Sequence, residues 1–390
     1  MFFPIKKSLV NWVDGMKISR VHLQQTENYF IDIHRDLINI GLTDNNFGLL
    51  PPYSGQSRSC EIDLVERVTN RVEIRLKQCN AITAGGCRVN INPTDHNDHL
   101  VLDYSFAPDI EQGEKNKSEE PTFWNVILII KPFDRIATGY PDPEETPPRH
   151  PDAKMAYELA VKPAGEINSG DLGIHHLVIG RIILENDHYV VDNTYIPPST
   201  SMSSHPYLKH YHEVFGKYIN DIETASHKII QKNHERESTS DIAKNVHSIC
   251  EDLLKYIATV YYDFRNNGRF YTPANMINIF SSLAHIGYVS IHLLPKKKRE
   301  EMLQYFYEWK DITPGVFVDT LSEILEITYN HYDIRTIMEK TEYFLQNFAT
   351  LWVRLSTLEY IGQHRENIVV AEKKQKEEKA PAKPGWTIID

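Results

Sequence analysis

From about residue 60 to residue 196, apolar and polar positions alternate with a period of two, as at Val72, Ile74 and Leu76, in short segments parted by turn residues. That pattern predicts antiparallel β-structure. Apolar residues are continuous from Trp124 to Ile130, which reads as a more deeply buried strand, and His176 to Tyr195 reads as a hairpin turning at Asn186-Asp187. Several such strands imply a sandwich. Two stretches interrupt them: Asp109 to Thr122, rich in Glu, Lys and Ser, and Gly139 to Asp152, with five prolines in fourteen residues. Both are expected to be exposed loops, the second locally polyproline-like.

After Pro197-Pro198 the period lengthens. Tyr211, Val214, Phe215, Tyr218, Ile219 and Ile222 fall at helical spacing, and Ile242, Val246, Ile249, Leu253, Ile257, Val260 and Phe264 repeat it at steps of three and four. Ser240 and Asp241 are N-cap candidates for that second helix, and Thr272-Pro273 offers a cap followed by proline for a third. A further stripe, Ile334, Met338, Thr341, Phe344, Phe348, Leu351, Leu355 and Leu358, marks a helix of bundle length. From Glu372 onward Lys, Glu, Ala and Pro replace core formers, so a solvated tail is expected. The fold class is α+β: an N-terminal antiparallel β-sandwich over residues 1–198, a helical bundle over 199–365, and a charged tail over 366–390.

Composition narrows the function classes. The 390 residues are 41% hydrophobic and 24% charged, typical of soluble globular chains, and 42 Lys and Arg against 53 Asp and Glu leave a net charge of -11. Duplex nucleic acid is repelled by such a balance, and no local basic patch outweighs it. The four cysteines, Cys60, Cys79, Cys87 and Cys250, have no metal-finger spacing and read as reduced thiols. Lys6, Lys7, Asp14 and Lys17 break up the start of the chain and leave no signal-peptide core, and the longest apolar run, Val126 to Ile130, is far too short to cross a bilayer. A cytoplasmic protein with no membrane insertion of its own is expected.

The common catalytic and nucleotide-binding signatures are absent, so no enzyme and no cofactor is expected. His205, His210, His212 and Glu213 offer zinc-competent ligands, and a metal-dependent hydrolase built on them is one rival reading. Capping or surface histidines at a strand-to-helix junction is the preferred one. His175 and His176 are expected to point to opposite faces of a strand, and His96 and His99 to flank a turn at Asn97-Asp98. Glu119-Glu120 and Glu144-Glu145 sit among Lys or Pro and read as solvated charge. Lys296, Lys297, Lys298 and Arg299 read as a helix boundary. What stands out is Trp12 to Tyr29, which compresses apolar bulk, a turn glycine and a helix start. Trp12 and Met16 in the core of an N-terminal strand and helix is the bland reading, but His22, Gln24 and Gln25 need hydrogen-bond partners if buried.

The order of Trp12, Gly15, Met16, Ser19, His22, Gln24, Gln25 and Tyr29 resembles the opening of the TssK (ImpJ/VasE) family, baseplate subunits of the bacterial type VI secretion system. A second stretch agrees, Arg181-Ile182 through Asp192-Asn193-Thr194-Tyr195-Ile196-Pro197-Pro198, where the family closes its first domain. A weaker echo is Tyr329-Asn330-His331-Tyr332-Asp333-Ile334 at the start of a late helix. The resemblance spans about residues 10 to 360. It implies a sandwich "shoulder" akin to phage receptor-binding proteins, a helical "neck" and a homotrimer. It also implies a non-catalytic adaptor that grips the wedge subunits TssF and TssG and links them toward the inner-membrane complex. Trp12, Gly15, Met16, His22, Gln24, Gln25 and Tyr29 are then partner-facing or shoulder-supporting, and Asp192, Ile196, Pro197 and Pro198 form the domain junction. About thirty residues follow Tyr360 where the family carries a further head domain, so a divergent form lacking that head is expected. Its charged tail would dock through Trp386, Ile388 and Ile389, or merely solubilise the chain. A phage-tail protein of the same fold is the other rival.

Overall fold

The computed structural model describes residues 5–68, 71–92, 100–106, 123–164, 172–236, 240–310 and 312–365. Among the described residues nine strands, β1 (Gly48–Leu49), β2 (Cys60–Val68), β3 (Arg71–Ile82), β4 (Arg88–Ile91), β5 (Leu100–Ser105), β6 (Phe123–Thr138), β7 (Asp152–Pro163), β8 (His176–Glu185) and β9 (His188–Val191), form two sheets, and every strand pairing within them is antiparallel. In the first sheet β1, β2, β4 and β5 all pair with β3; the second has the order β7-β6-β8-β9. Val72, Ile74 and Leu76 of β3 share one core with Val126, Leu128 and Ile130 of β6 and Leu177 and Ile179 of β8.

The continuous apolar run in β6 has a direct cause. Val126, Leu128 and Ile130 face that shared core, while Ile127 packs on the opposite side with Val178 and Tyr195, so the strand is covered on both faces. The hairpin turns at Asn186 and Asp187, whose φ values of 50° and 63° match the right-handed strand twist in a two-residue loop. The proline-rich stretch before β7 is an exposed loop, and the Asp109 to Thr122 segment lies outside the described residues.

The described residues also form seven α-helices: α1 (Arg20–Asn39), α2 (Pro206–Glu235), α3 (Asp241–Asn267), α4 (Pro273–His292), α5 (Lys296–Lys310), α6 (Pro314–Leu325) and α7 (Ile334–Thr357). The expected caps are in place: Ser240 Oγ accepts from the Ala243 N–H at 3.1 Å and Thr272 Oγ1 from the Asn275 N–H at 3.1 Å. The sequence reading did not separate α5 and α6. The signal for α6 was present in Thr313-Pro314, where the threonine caps the Val316 N–H and proline takes the first turn.

Two compact units emerge. The first contains the chain up to Glu213 together with Asn266–Ile277 and Thr328–Glu339; the second contains Val214–Arg265, Asn278–Ile327 and the chain from Lys340. In the second unit an aromatic ladder, Phe306–Trp352, Trp352–Phe348 and Phe348–Phe317, has ring centroids 5.8, 4.2 and 6.2 Å apart.

Within the first unit, the segment before α7 is held by a buried histidine. His331 sets Nε2 2.8 Å from the Phe47 carbonyl and Nδ1 2.8 Å from the Tyr329 hydroxyl. Burial pushes this imidazole down to about 4 from an ordinary value of 6.5, against the opposing pull of the Phe47 carbonyl and Asp44. Burial depresses His205 to about 4 as well. Below pH 6.5 the unfolded chain takes up protons that these folded imidazoles refuse. Stability should therefore be full above that value and fall between pH 6.5 and 4, by up to ~1.4 kcal/mol per pH unit for each histidine. Urea unfolding at pH 7 and pH 5 checks this, and His331→Asn, which keeps a donor for Phe47, should flatten the slope by about half.

Candidate partner-binding surface

The segment before α1 is an extended arm rather than a strand. It turns at Gly15, where φ is +77°, with the Met16 N–H on the Val13 carbonyl at 3.2 Å. Ser19 is the extended N-cap of α1, and its N–H donates to His22 Nδ1 at 3.3 Å, so His22 closes the helix start. Trp12 stands edge-on to the His22 ring at 6.0 Å and is half exposed.

The helix itself is inverted relative to a usual surface helix. Asp32, Arg35 and Asn39, on its inner face, are its buried residues. Leu23, Phe30 and Leu37, spaced every seven residues on the opposite face, are 54%, 50% and 60% exposed. Asp32 explains the inversion. Its Oδ2 accepts from the backbone N–H groups of Lys6 and Lys7 at 2.6 and 2.9 Å, and its Oδ1 from Arg35 Nε at 2.9 Å. Arg35 also donates to the Gly85 carbonyl at 3.2 Å. At Gly86, φ is +83° and a Cβ would lie 2.3 Å from the Arg35 carbonyl, so only glycine lets the helix backbone settle on this turn. Farther along, Arg135 of β6 pairs with Glu27 at 2.9 Å and Asn28 at 3.0 Å.

The electrostatics of the Asp32 site follow from those donors. Burial pushes its carboxyl up, but the two backbone N–H groups and the Arg35 guanidinium together outweigh burial and hold it below its ordinary value of 3.8. The arm and the helix are thereby fixed to each other and to the first sheet, while Ile5, Leu9, Val13, Ile18, Val21, Leu23, Phe30 and Leu37 stay exposed to water. Exposed apolar side chains in this number leave apolar area in water that burial would favour removing.

The structure distributes the sequence-predicted residues as follows. Gly15 and Gln25 are exposed, and Met16, His22, Gln24 and Tyr29 are half-buried. Trp12 and Met16 do not enter the core as the bland reading expected, because the docking face of the helix is polar and its apolar residues turn outward. The second and third stretches meet. Ile196, Pro197 and Pro198 are buried, the Pro198 carbonyl accepts from Leu49 N–H at 2.7 Å, and the Tyr195 hydroxyl reaches the Tyr332 carbonyl at 3.4 Å. Gly48, with φ +109°, is required there, since a Cβ would fall 2.0 Å from the Pro198 oxygen. Asp192 Oδ1 caps the turn by accepting from Thr194 N–H at 2.9 Å, and Arg181 lies 4.3 Å over the Tyr195 ring. His96, His99, Glu119, Glu120, Trp386, Ile388 and Ile389 lie outside the described residues.

The histidine cluster is not gathered into a centre. His205 Nδ1 accepts from Tyr207 N–H at 3.3 Å at the start of α2, His210 is exposed, and among the described residues no group of three or more His, Cys, Asp or Glu is placed to hold a metal ion. Cys87 and His175 approach to 3.3 Å, but burial raises the thiol to about 11 and lowers the imidazole, which favours the neutral pair over thiolate and imidazolium. The residues that sequence reasoning missed are Asp32, Arg35, Gly85 and Gly86. Asp32 and Arg35 at helical spacing, four residues after a run of polar positions, were the available signal.

Asp32→Ala leaves the Arg35 charge buried without its partner, which typically costs about 3–5 kcal/mol. The arm should then be released, and limited proteolysis should cut within residues 5–19 at neutral pH while the wild type resists. Because Asp32 is held low, its contribution is full above the ordinary carboxylate range and is lost as pH falls through its folded value, so the wild-type arm should become cleavable by an acid protease only at pH well below 3.8.

No protein-family model matches the chain, and no curated protein matches it. Solved structures do. The fold is similar to that of a chain in "The baseplate complex from the type VI secretion system", with a TM-score of 0.51 at 13% identity, over 88% of this chain and 99% of that one. A "Crystal structure of TssK" aligns at a TM-score of 0.47 and 14% identity over 88% of this chain and 69% of that one. A cryo-electron microscopy TssK-TssF-TssG baseplate subcomplex aligns at 0.45 and 10%, over 88% and 99%. At 13% identity the likeness to the baseplate-complex chain is one of fold alone: a mixed helix-and-sheet chain with antiparallel sheets.

Proposed function

We propose that this chain is a structural subunit of a type VI secretion baseplate, a non-catalytic adaptor that grips wedge subunits of the TssF and TssG kind and links them toward an inner-membrane complex. The observation that carries this reading is the outward apolar seam of α1 and its arm, displayed on a fold shared with a chain of a baseplate complex. Water-exposed Leu23, Phe30 and Leu37 at seven-residue spacing suit a partner helix or groove, and the buried Asp32–Arg35 pair holds that face outward. In this reading residues 1–198 form the β-sandwich shoulder, 199–365 the helical neck and 366–390 a tail with a docking peptide at Trp386, Ile388 and Ile389.

A homotrimer completes the proposal. Between α3 and α4 of the second unit lies a mainly apolar groove lined by Tyr256, Ile286, Val289 and Leu293, and Leu293 is 79% exposed. We assign this face to neighbouring copies, since a heterologous contact closes a ring of three without leaving the groove wet. No helix among the described residues is long and apolar enough to cross a membrane, so attachment to the membrane complex is assigned to partners.

Affinity purification of the tagged chain from its own cells, read by mass spectrometry, should recover wedge subunits. Serine at Leu23, Phe30 and Leu37, or alanine at Trp12, His22 and Gln25, should cut that recovery by about tenfold or more, because the exposed anchors account for most of such an interface. Undiminished recovery would remove the seam from the proposal. Light scattering should give the mass of three chains, unchanged by these substitutions; a monodisperse monomer refutes the ring.

A further inference from the structure

Cys60 and Cys79 are direct cross-strand partners in the β2–β3 register. Asn80 N–H donates to the Ser59 carbonyl at 2.8 Å, so the neighbouring 59–80 pair is the hydrogen-bonded one and the cysteines occupy a non-hydrogen-bonded site. At such sites the Cα atoms approach to about 4.5 Å and the side chains lean together, inside the range that a disulfide spans. Both thiols lie on the same side of the sheet against the shared core, with Cys60 Sγ 3.8 Å from the Ile179 carbonyl; neither is bonded covalently. Their accessibility differs. Cys79 is fully buried, whereas Cys60 is half-buried and lines a surface recess with Arg58, Asp192 and His205.

From this pairing we infer that Cys60 and Cys79 form a thiol–disulfide site, closed by a small-molecule disulfide such as oxidised glutathione entering through the Cys60 recess. The thiolate of Cys60 attacks one glutathione sulfur, breaks the glutathione S–S bond and expels a glutathione thiolate, leaving a mixed disulfide on Cys60. Cys79, deprotonated in turn, attacks the Cys60 sulfur and expels the second glutathione. Two protein thiols are oxidised to one S–S bond, the glutathione disulfide is reduced to two thiols, and the protons pass to solvent and to the departing thiolates. The neighbouring Cys79 thiol and burial raise the Cys60 thiol well above its usual value, so closure is slow near neutrality and accelerates with alkaline pH. The product pins β2 to β3 at the end where Ser59 and Asn80 already pair, next to the junction strand β1.

The test uses the full folded chain. It is incubated with oxidised glutathione at pH 7 and pH 9, remaining thiols are alkylated, and tryptic peptides are mapped without reduction. The expected product links Ser59–Arg67 to Gln78–Arg88, with fragmentation placing the bond at Cys79 rather than Cys87, and forms at least tenfold faster at pH 9. Cys87→Ala should leave the linkage unchanged and removes the ambiguity within the second peptide. A Cys79–Cys87 bond, a glutathione adduct that persists on Cys60, or full alkylation of both cysteines after denaturation would each overturn the inference. A Cys60→Ser chain that folds, judged by an unaltered circular dichroism spectrum, should retain Cys79 as a thiol under the same treatment.

Discussion

Everything distinctive about the amino-terminal surface depends on one buried carboxylate. Asp32 accepts two backbone N–H groups of the arm and one guanidinium N–H of its own helix, and Arg35 in turn reaches the Gly85 carbonyl. A polar anchor of this kind is directional in a way that apolar burial is not: the acceptors and donors must meet within hydrogen-bond geometry, so the rotation of α1 about its axis is fixed. With Asp32, Arg35 and Asn39 turned inward, Leu23, Phe30 and Leu37 have no choice but to face water. A helix docked through leucines would have hidden the very surface that this one presents.

A second constraint ties the two-sheet unit together at Phe47-Gly48-Leu49. His331 binds the Phe47 carbonyl, Pro198 binds the Leu49 N–H, and Thr200 returns to the Leu49 carbonyl with both its N–H and its hydroxyl at 2.9 Å. Two segments far apart in sequence, one at Pro198 to Thr200 and one at His331, converge on three residues, and glycine in the middle is what lets the backbones approach so closely. The chain's sharp change from strands to helices after Pro197-Pro198 is thus not a loose joint but a backbone-bonded knot.

The periodicity of the sequence was most legible where burial is one-sided or complete. The β3 alternation, the continuous run in β6, the Asn186-Asp187 turn, the Ser240 and Thr272 caps and the α7 stripe all appear where the pattern puts them. Reading failed where polarity was inverted. Nothing in a hydropathy profile distinguishes Asp32 and Arg35 from solvated charge, because their burial depends on a turn at Gly85-Gly86 some fifty residues away and on backbone donors from the arm. The same profile would place Trp12, Leu23 and Phe30 inside. The register that brings Cys60 against Cys79 was equally invisible, since it needs the bulge after Glu61 and a hydrogen-bonding phase that only the paired strands define.

Asp32 holds the arm at positions 6 and 7 through main-chain N–H groups, and the Lys7 ammonium adds a contact 4.7 Å over the Phe133 ring. The main-chain attachment is indifferent to what those residues are, proline excepted, because every other amino acid supplies the same donor. Apart from Lys7, whose side chain rests on Phe133, the exterior of the arm is therefore free to change its chemistry without loosening its carboxylate mooring, which separates the evolution of what this edge recognises from the requirement that it stay in place.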